Sequence, residues 1–466
     1  MSETSKSPRR EALFYQPKNG FDTLEDGHWD RVQALGEDYK QFLTVGKTER
    51  LSAAEAVRRA EARGFSAYRR GLAVRPGDRL YQVNRDKAVT LIVAGRRGLD
   101  EGVRLVAAHI DAPRLDVKPR PLYEDNETAL LKTHYYGGIK KYQWVALPLE
   151  LHGVVVRTDG AVVPVSIGAA PDDPVFTITD LLPHLAGDQM KKNLREAITG
   201  EDLNVLVGTR PDAETGEGRV KLAVLDLLHR RYGVTEADFL SAELSLVPAL
   251  PARDVGLDAS LIGGYGHDDR VCGFVALRAL LDLEGTPEHT AVCLLADKEE
   301  IGSEGVTGMR SAAFDTLMTD LCTGQGVPLG ACFASSFCLS ADVCNAFDPN
   351  YPEVSDKVNA HRLNYGLGLM KYTGVRGKAG SSDASAETVG RLRGLLERDG
   401  IRYQFGELGK VDQGGGGTVA VYMAQRNIEV VDAGVPVLSM HSPFEIISKL
   451  DLFETYRAAL AVYSNS

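Results

Sequence analysis

Four short apolar segments constrain the fold of this 466-residue chain more than any other feature. They are VRLVAAH (103–109), TAVCLLAD (290–297), SFCLSAD (336–342) and VPVLSMH (435–441). Segments of this length and composition are typical of strands that are buried on both faces of a sheet. Helical patterns alternate with them, notably after Asp268, over 384–399 and over 450–463. Such alternation predicts an α/β fold with a mostly parallel sheet.

The middle of the chain has a different pattern. From about 120 to 250 it contains β-type stretches such as HGVVVRTDGAVVPVSI, a segment near 179–199 that we interpret as helical, and an acidic loop around 209–218. We therefore predict a smaller β-rich domain over 119–251. This domain is inserted into an α/β domain formed by residues 1–118 and 252–466.

Charge and hydropathy restrict the possible partners. The chain has 53 Lys and Arg against 64 Asp and Glu, a net charge of −11. Binders of nucleic acids or anionic membranes need a basic surface, so neither partner is expected. No apolar stretch approaches the roughly 18 residues of a membrane span. The first twelve residues lack the apolar core of a signal peptide and are predicted to be a disordered tail, so we expect a cytoplasmic enzyme.

The cysteines agree with that compartment. All six lie between Cys272 and Cys344, without a CxxC pair or a zinc-finger spacing. In a reducing compartment they are expected to be small buried apolar residues rather than disulfide partners.

Residues with metal-binding side chains stand at the ends of the four apolar segments or just after them. These residues are His109 and Asp111, Glu299 and Glu300, Asp342, and His441, and the glycine-rich GGYGH adds Asp268 and Asp269. Because the carboxyl ends of parallel strands face one crevice, we expect these side chains to meet there. Two imidazoles with several carboxylates suit zinc, manganese or cobalt, and a two-metal site is the sharper interpretation.

The adjacent pair Glu299 and Glu300 suggests a division of roles. One carboxylate can bind metal while the other takes a proton from an attacking water. In an extended segment residues i and i+2 share a face, so Asp111 can orient His109.

Five motifs in order resemble the aspartyl aminopeptidase family of zinc metallopeptidases, over about residues 100 to 460. They are AAHIDAPRLDVKP, GHDDRVCGFVALRAL, LADKEEIGSEG, LSADVCNAFDPNYPE and VVDAGVPVLSMHSPFE. The stretch YGGIKKYQWVALPLELHGVVV is similar to a bacterial branch of that family. The resemblance implies a zinc-exopeptidase-like catalytic domain with an inserted dimerisation domain.

The same resemblance implies a ligand set. His109, Asp268 and Asp342 would bind one zinc ion. Asp268 would also bridge to a second zinc ion, which Glu300 and His441 complete.

Further roles follow from the family pattern. Glu299 is implied to be the general base and Asp111 the partner of His109. His184, in LLPHLAG, is implied to contact the substrate in the active site of a neighbouring subunit. Family members are usually tetrahedral dodecamers, so a homo-oligomer is expected.

Some positions depart from the acid-specific members. Those members carry His where this chain has Asn345 and Asp348, and QWVALPL replaces a more charged run. These departures leave the preferred N-terminal residue open. Lys371, with Arg376 and Lys378 as alternatives, is the predicted partner for an acidic substrate side chain.

The predicted function is a metal-dependent aminopeptidase acting on peptides. Alternatives are a deacylase or carboxypeptidase on the same fold, or a non-catalytic peptide-binding oligomer. A purely structural zinc site fits less well, because such sites are usually closed cages rich in cysteine.

Overall fold

The structure is a computed structural model that describes residues 8–25 and 27–464. Part of the predicted disordered tail lies outside these residues, and the prediction is wrong for residues 8–12, which belong to the short helix Pro8–Leu13. The helices are α1 (Pro8–Leu13), α2 (His28–Val45), α3 (Glu49–Glu61), α4 (Leu194–Ala197), α5 (Arg219–Tyr232), α6 (His267–Leu281), α7 (Ala313–Gln325), α8 (Leu329–Ala334), α9 (Ala386–Arg398), α10 (Ala420–Gln425) and α11 (Lys449–Ser464). None of the helices in the described part of the chain has the length and apolar character needed to cross a membrane.

The strands form three sheets. In chain order they are β1 (Ser66–Ala67), β2 (Arg79–Asn84), β3 (Ala88–Val93), β4 (Val103–His109), β5 (Arg114–Asp125), β6 (Thr128–Tyr136), β7 (Leu149–Val156), β8 (Val162–Ile167), β9 (Asn204–Gly208), β10 (Ala242–Pro248), β11 (Arg253–Val255), β12 (Leu261–Gly264), β13 (Thr290–Ala296), β14 (Phe337–Ala341), β15 (Cys344–Asn345), β16 (Leu367–Met370), β17 (Tyr403–Phe405), β18 (Glu429–Gly434), β19 (Pro436–Leu438) and β20 (Glu445–Ser448).

The largest sheet has the order β1-β2-β3-β13-β4-β14-β18-β16-β17. Its four central strands, β13, β4, β14 and β18, are parallel to one another. Antiparallel pairs flank this centre, β3 against β13 on one side and β16 against β18 on the other. The predicted α/β class is confirmed, whereas the sheet is parallel at its centre and mixed towards its edges.

Three of the four apolar segments form the predicted strands β4, β13 and β14. The fourth segment, VPVLSMH, was predicted to form a strand of the same sheet, and this prediction is wrong. The preceding residues form β18 in the large sheet, and Pro436–Leu438 form β19 in a five-stranded sheet of order β11-β12-β20-β19-β15. The chain changes sheet at Gly434, where an added Cβ would lie 1.8 Å from the carbonyl oxygen of Asp342. Only glycine permits so close an approach of the two backbones.

The third sheet is antiparallel, with the order β8-β7-β10-β5-β6-β9. Its apolar face packs against α5, a helix that the sequence analysis did not predict. The predicted helical piece near 179–199 is wrong for most of its length, because only the 3-10 turn Gln189–Lys191 and the four-residue α4 are helical there. Its leucines are largely exposed rather than packed on one helical face. The division into two domains remains a prediction.

Helices cover both faces of the large sheet. Alternate residues of β4 point to opposite sides: Val106 and Ala108 pack with α2, α3, α6, α9 and α11, and Leu105 and Ala107 with α7, α8 and α10. All six cysteines are buried and free, as predicted. This packing fixes the strand ends that carry the candidate site.

Candidate metal centre and active site

The carboxyl edge of the central strands collects the predicted residues. His109 is the last residue of β4, Asp342 follows β14, and Glu299 begins a 3-10 turn after β13. Asp268 lies at the start of α6, and His441 follows β19 in the neighbouring small sheet. The residues therefore come from five segments that are far apart in sequence.

One group of three potential ligands surrounds His109. Its Nε2 atom lies 3.2 Å from Oδ1 of Asp268 and 4.0 Å from Oδ1 of Asp342. One ligand atom from each of these three buried residues falls within 4.8 Å of the others. Imidazole nitrogen and carboxylate oxygen at this spacing form a donor set suited to zinc.

A second group shares Asp268 with the first. Nε2 of His441 lies 3.0 Å from Oδ2 of Asp268 and 3.5 Å from Oε2 of Glu300. The two oxygens of Asp268 therefore face two different histidines. Oε1 of Glu300 is buried without a hydrogen-bond partner among the described residues. A buried carboxylate oxygen left in this way is costly, so these residues fit a bound cation.

The electrostatics of the cluster also favour cations. Burial lowers the pKa of His441, but the Asp268 and Glu300 carboxylates outweigh burial and raise that pKa to about 10. Burial, reinforced by neighbouring acids, raises the pKa of Glu300 and of Asp342. Excess negative charge in a buried site is neutralised by protons or by metal ions. The same groups can therefore exchange protons for divalent cations.

Glu299 lies beside both groups and belongs to neither. Its Oε2 atom is 3.9 Å from Nε2 of His109, and its side chain is 20 % exposed. Burial is the main cause that raises the pKa of Glu299, to about 7, and Asp268 and Asp111 raise it further. A carboxylate placed in this way can accept and return a proton near neutral pH.

Asp111 contacts His109 and the backbone of Glu299 and Glu300. Its Oδ1 atom lies 3.2 Å from Nδ1 of His109, and its Oδ2 atom accepts the hydroxyl of Tyr136 at 2.7 Å. Its oxygens also accept the backbone N–H groups of Glu299 and Glu300, at 3.1 and 3.2 Å. Asp111 is completely buried, so these contacts hold it in one position.

Sequence reasoning missed three supporting residues. Glu445 accepts the backbone N–H of Asp268 at 3.0 Å and that of His441 at 2.6 Å, and burial raises its pKa to about 8. The carbonyl of Gly138 lies 2.8 Å from Nδ1 of His441. The third is Tyr136, whose hydroxyl donates to Asp111. Glu445 and Gly138 stand within the quoted motif stretches, but nothing in their spacing marks them as part of a metal centre.

An open cavity of about 650 Å³ leads to the two groups. Gly414–Gly417 form part of its wall. An added Cβ at Gly415 would lie 2.1 Å from the carbonyl oxygen of Gly374. The cavity therefore depends on glycine at this position.

Basic side chains also line this cavity. They are Arg376, Lys378 and Lys410, the last of which the sequence analysis missed. Lys371 does not line the cavity, and its amine donates to Asp383 at 2.9 Å. His184 lies in an exposed loop and does not line the cavity of its own chain.

An α/β fold with histidine and carboxylate groups beside a partly buried glutamate is typical of metal-dependent hydrolases. Residues 42–463 match the family described as aminopeptidase I zinc metalloproteases (M18). The chain belongs to this M18 family, which confirms the resemblance found in the sequence, and it is a metal-dependent aminopeptidase.

Similar sequences and solved structures support the same family. A probable M18 family aminopeptidase 1 of Clostridium acetobutylicum is 43 % identical, over 97 % of this chain and 99 % of the relative. A Thermotoga maritima protein of the same description is 46 % identical, over 92 % and 95 %. The crystal structure of an M18 aminopeptidase from Thermotoga maritima superposes with a TM-score of 0.93 at 44 % identity, covering 97 % of this chain and all of that chain. The S. cerevisiae mApe1 dodecamer shares the fold, with a TM-score of 0.76 at 19 % identity, over 92 % of this chain and 96 % of that one.

Proposed function

We propose that this chain releases the N-terminal residue of peptides with two metal ions and Glu299 as the general base. The observation that carries the proposal is the placement of Asp268, whose two oxygens face two separate histidine–carboxylate groups beside Glu299. One ion would be held by His109, Asp268 and Asp342. The other would be held by Asp268, Glu300 and His441. Zinc is the proposed metal, with cobalt and manganese as alternatives that suit the same donors.

The proposed reaction is hydrolysis of one amide bond. Ions held by these residues would polarise the scissile carbonyl and would lower the pKa of water toward ~7. Glu299 takes a proton from the water as its oxygen adds to the carbonyl carbon. The carbon–nitrogen bond then breaks, and Glu299 gives the proton to the leaving amine. Asp111 holds His109 and the backbone of Glu299 in place during these steps.

A single substitution tests the base. In zinc-loaded enzyme, Glu299→Gln is expected to keep its metal content and to lose at least ~100-fold in kcat. Glu304→Gln is the matched control, because Glu304 is an exposed glutamate five positions away that pairs with Arg310 and does not line the cavity. Near-normal turnover by Glu299→Gln would show that another group is the base.

The alternative hydrolases are separated by their substrates. An aminopeptidase requires a free α-amino group, whereas a deacylase or carboxypeptidase accepts peptides blocked at the N-terminus. Hydrolysis of aminoacyl-nitroanilides but not of N-blocked peptides supports our proposal, and the reverse result contradicts it. Fewer than one metal ion per chain, with no turnover, would favour a non-catalytic peptide-binding oligomer.

We also propose that the chain forms a homo-oligomer, with a tetrahedral dodecamer as the expected form. One support is the yeast protein described as a dodecamer, which has the same fold. Another is the group of exposed apolar side chains around His184, comprising Leu181, Leu182, Leu185, Met190 and Leu194, which are between 49 and 75 % exposed. Exposed apolar groups of this kind are typical of protein interfaces.

Within such an oligomer, His184 would contact the substrate of a neighbouring subunit. Mixing inactive subunits tests this role. His184→Ala chains keep Glu299, and Glu299→Gln chains keep His184, so mixed oligomers would regain active sites that neither variant forms alone. Activity of the reassembled mixture above the sum of the separate variants supports the proposal, and simple additivity contradicts it.

A further inference from the structure

A second cavity of about 650 Å³ lies at the opposite edge of the large sheet from the metal centre. Arg104, Phe337 and Glu429, which stand at or next to the first residues of β4, β14 and β18, line it. At ~3.3 Å per strand residue, Arg104 lies about 16 Å along β4 from His109. This cavity is therefore separate from the proposed active site.

Basic side chains outnumber acidic ones in the lining of this cavity. Three are arginines, Arg104, Arg391 and Arg398, and one is an acid, Glu429. Arg391 pairs with Glu429, and Arg398 donates to Asp399 at 3.2 Å. The protein as a whole carries a net charge of −11, so this is a local basic site on an acidic molecule.

The guanidinium of Arg104 contacts neutral groups. Among residues 8–25 and 27–464, no carboxylate lies within ion-pair distance of its guanidinium. The guanidinium instead lies 3.0 Å from Nε2 of His289 and 3.4 Å from the carbonyl oxygen of Val103. Burial lowers the pKa of His289, and Arg104 lowers it further, so the imidazole is neutral and accepts from the arginine.

The surroundings of Arg104 favour an anion. Burial lowers its pKa, and the charges of Arg97 and Arg391 lower it further. A half-buried guanidinium in a positive environment is stabilised by any anion that reaches it. Its planar donors match the oxygens of a phosphate group, which it can bind in a bidentate manner.

Part of the lining of the cavity is apolar, and it begins beside Arg104, since Phe337 pairs with Arg104 between the neighbouring strands β14 and β4. Phe337, Leu392, Leu395 and Val462 line it, from β14, α9 and α11. A ligand that contacts both the arginines and these apolar side chains carries a phosphate and a flat or apolar portion. The volume is in the range of about 300–1,000 Å³ that is usual for small-molecule sites.

We propose that this cavity binds a phosphate-bearing small molecule through Arg104, with Arg391 and Arg398 at its rim. Inorganic phosphate and the phosphate of a nucleotide share the chemistry that Arg104 recognises. Contact of the ligand's apolar portion with Phe337 and Leu392 would distinguish a nucleotide from free phosphate.

Isothermal titration of the zinc-loaded full-length protein with inorganic phosphate and, separately, with AMP tests the proposal. Arg104→Gln is expected to weaken binding ~10-fold or more, as is typical for loss of a charge-assisted hydrogen bond. Arg393→Gln is the control for the loss of one arginine, because Arg393 lies on α9 between Arg391 and Arg398, contacts Tyr403 and does not line the cavity. Phosphate bound at the metal centre would have the same affinity in Arg104→Gln as in the unmodified protein.

The affinities for AMP and for inorganic phosphate distinguish the two ligand types. Tighter binding of AMP than of phosphate, lost in Arg104→Gln, assigns a phosphate ester. Equal binding of both, lost in the same variant, assigns inorganic phosphate. Should Arg104→Gln not fold, Arg398→Gln at the exposed rim is expected to weaken binding several-fold. Absence of binding, or equal affinities in the unmodified protein and the arginine variants, overturns the proposal.

Discussion

Oδ1 of Asp111 lies 3.1 Å from the backbone nitrogen of Glu299. The same oxygen lies 3.2 Å from Nδ1 of His109. One buried carboxylate thus holds both the turn that carries the proposed base and the imidazole of a proposed ligand. The pKa of Asp111 is below its usual value although burial opposes this, because His109 and Tyr136 stabilise the charged form.

Replacing Asp111 tests this joint support. In Asp111→Asn, one acceptor oxygen becomes an NH₂ donor that faces donors already in place, so one contact must be lost. We expect a ~10–100-fold loss in kcat or zinc affinity, as is usual for residues that orient metal ligands. Measurements of kcat and of zinc content check the result, with the exposed Asp125→Asn as the control. Unchanged values for both would show that the Asp111 contacts are dispensable.

Glu445 supports the second proposed metal position. Its two oxygens accept separate N–H groups, one from Asp268 and one from His441. In Glu445→Gln one acceptor becomes a donor, which would push one of these segments away. We expect the ion proposed for Asp268, Glu300 and His441 to bind ~10–100-fold more weakly, because Glu445 holds two of its three ligands. The other ion, which shares only Asp268, is expected to be weakened less. Titration with a zinc-binding chromophore measures both affinities, and Glu353→Gln, at an exposed position, is the control. Two unchanged affinities would contradict the prediction.

Hydrophobic runs were sufficient to predict three central strands and the side chains at their ends. The fourth run was misplaced because apolar composition reports burial and not the sheet that provides the burial. The hydrogen bonds of β18 and β19 are divided between two sheets at Gly434, and only the three-dimensional contact with Asp342 reveals the reason.

The supporting contacts could not be predicted for a related reason. Glu445 accepts an N–H from Asp268, which is 177 positions away in the sequence. Lys371 was chosen by charge, but its amine is directed at Asp383 while the missed Lys410 lines the cavity. Charge and spacing identify candidate side chains, whereas their orientation depends on packing that has no local signal.

Gly414–Gly417 line the active-site cavity, so we expect a substitution there to affect substrate binding. Gly415 has a φ of +117°, and an added Cβ would lie 2.1 Å from the carbonyl oxygen of Gly374. Gly415→Ala must therefore displace the wall, and we expect a rise in KM and a loss of about 1–3 kcal/mol in stability. Gly417→Ala is the matched control, since nothing lies within 4 Å of its added Cβ. Steady-state kinetics and thermal unfolding measure the two effects, and equal behaviour of the variants would refute the argument.

The ion pairs of Glu243 connect the antiparallel sheet to the N-terminal part of the chain, and we expect acid to weaken them. Its carboxylate pairs with Arg50 and with Lys87, the latter at 2.7 Å. Burial opposes ionisation, but both cations outweigh it and lower the pKa of Glu243 to about 2. A native pKa below the unfolded value means that this contribution to stability is complete above pH ~4.5 and is lost as the pH falls toward 2.

Because the Glu243 side chain is 54 % exposed, solvent screening keeps its contribution to about 1 kcal/mol or less. Glu243→Gln is therefore expected to unfold at a slightly lower temperature than the unmodified protein at pH 7. That difference should shrink between pH 4.5 and pH 3, and 1 M NaCl should reduce it at pH 7 because salt screens exposed pairs. Acid also protonates the metal centre, but this affects both proteins equally, so the difference between their melting temperatures isolates Glu243. A difference that persists unchanged to pH 3 would mean that the carboxylate acts through packing rather than through its charge.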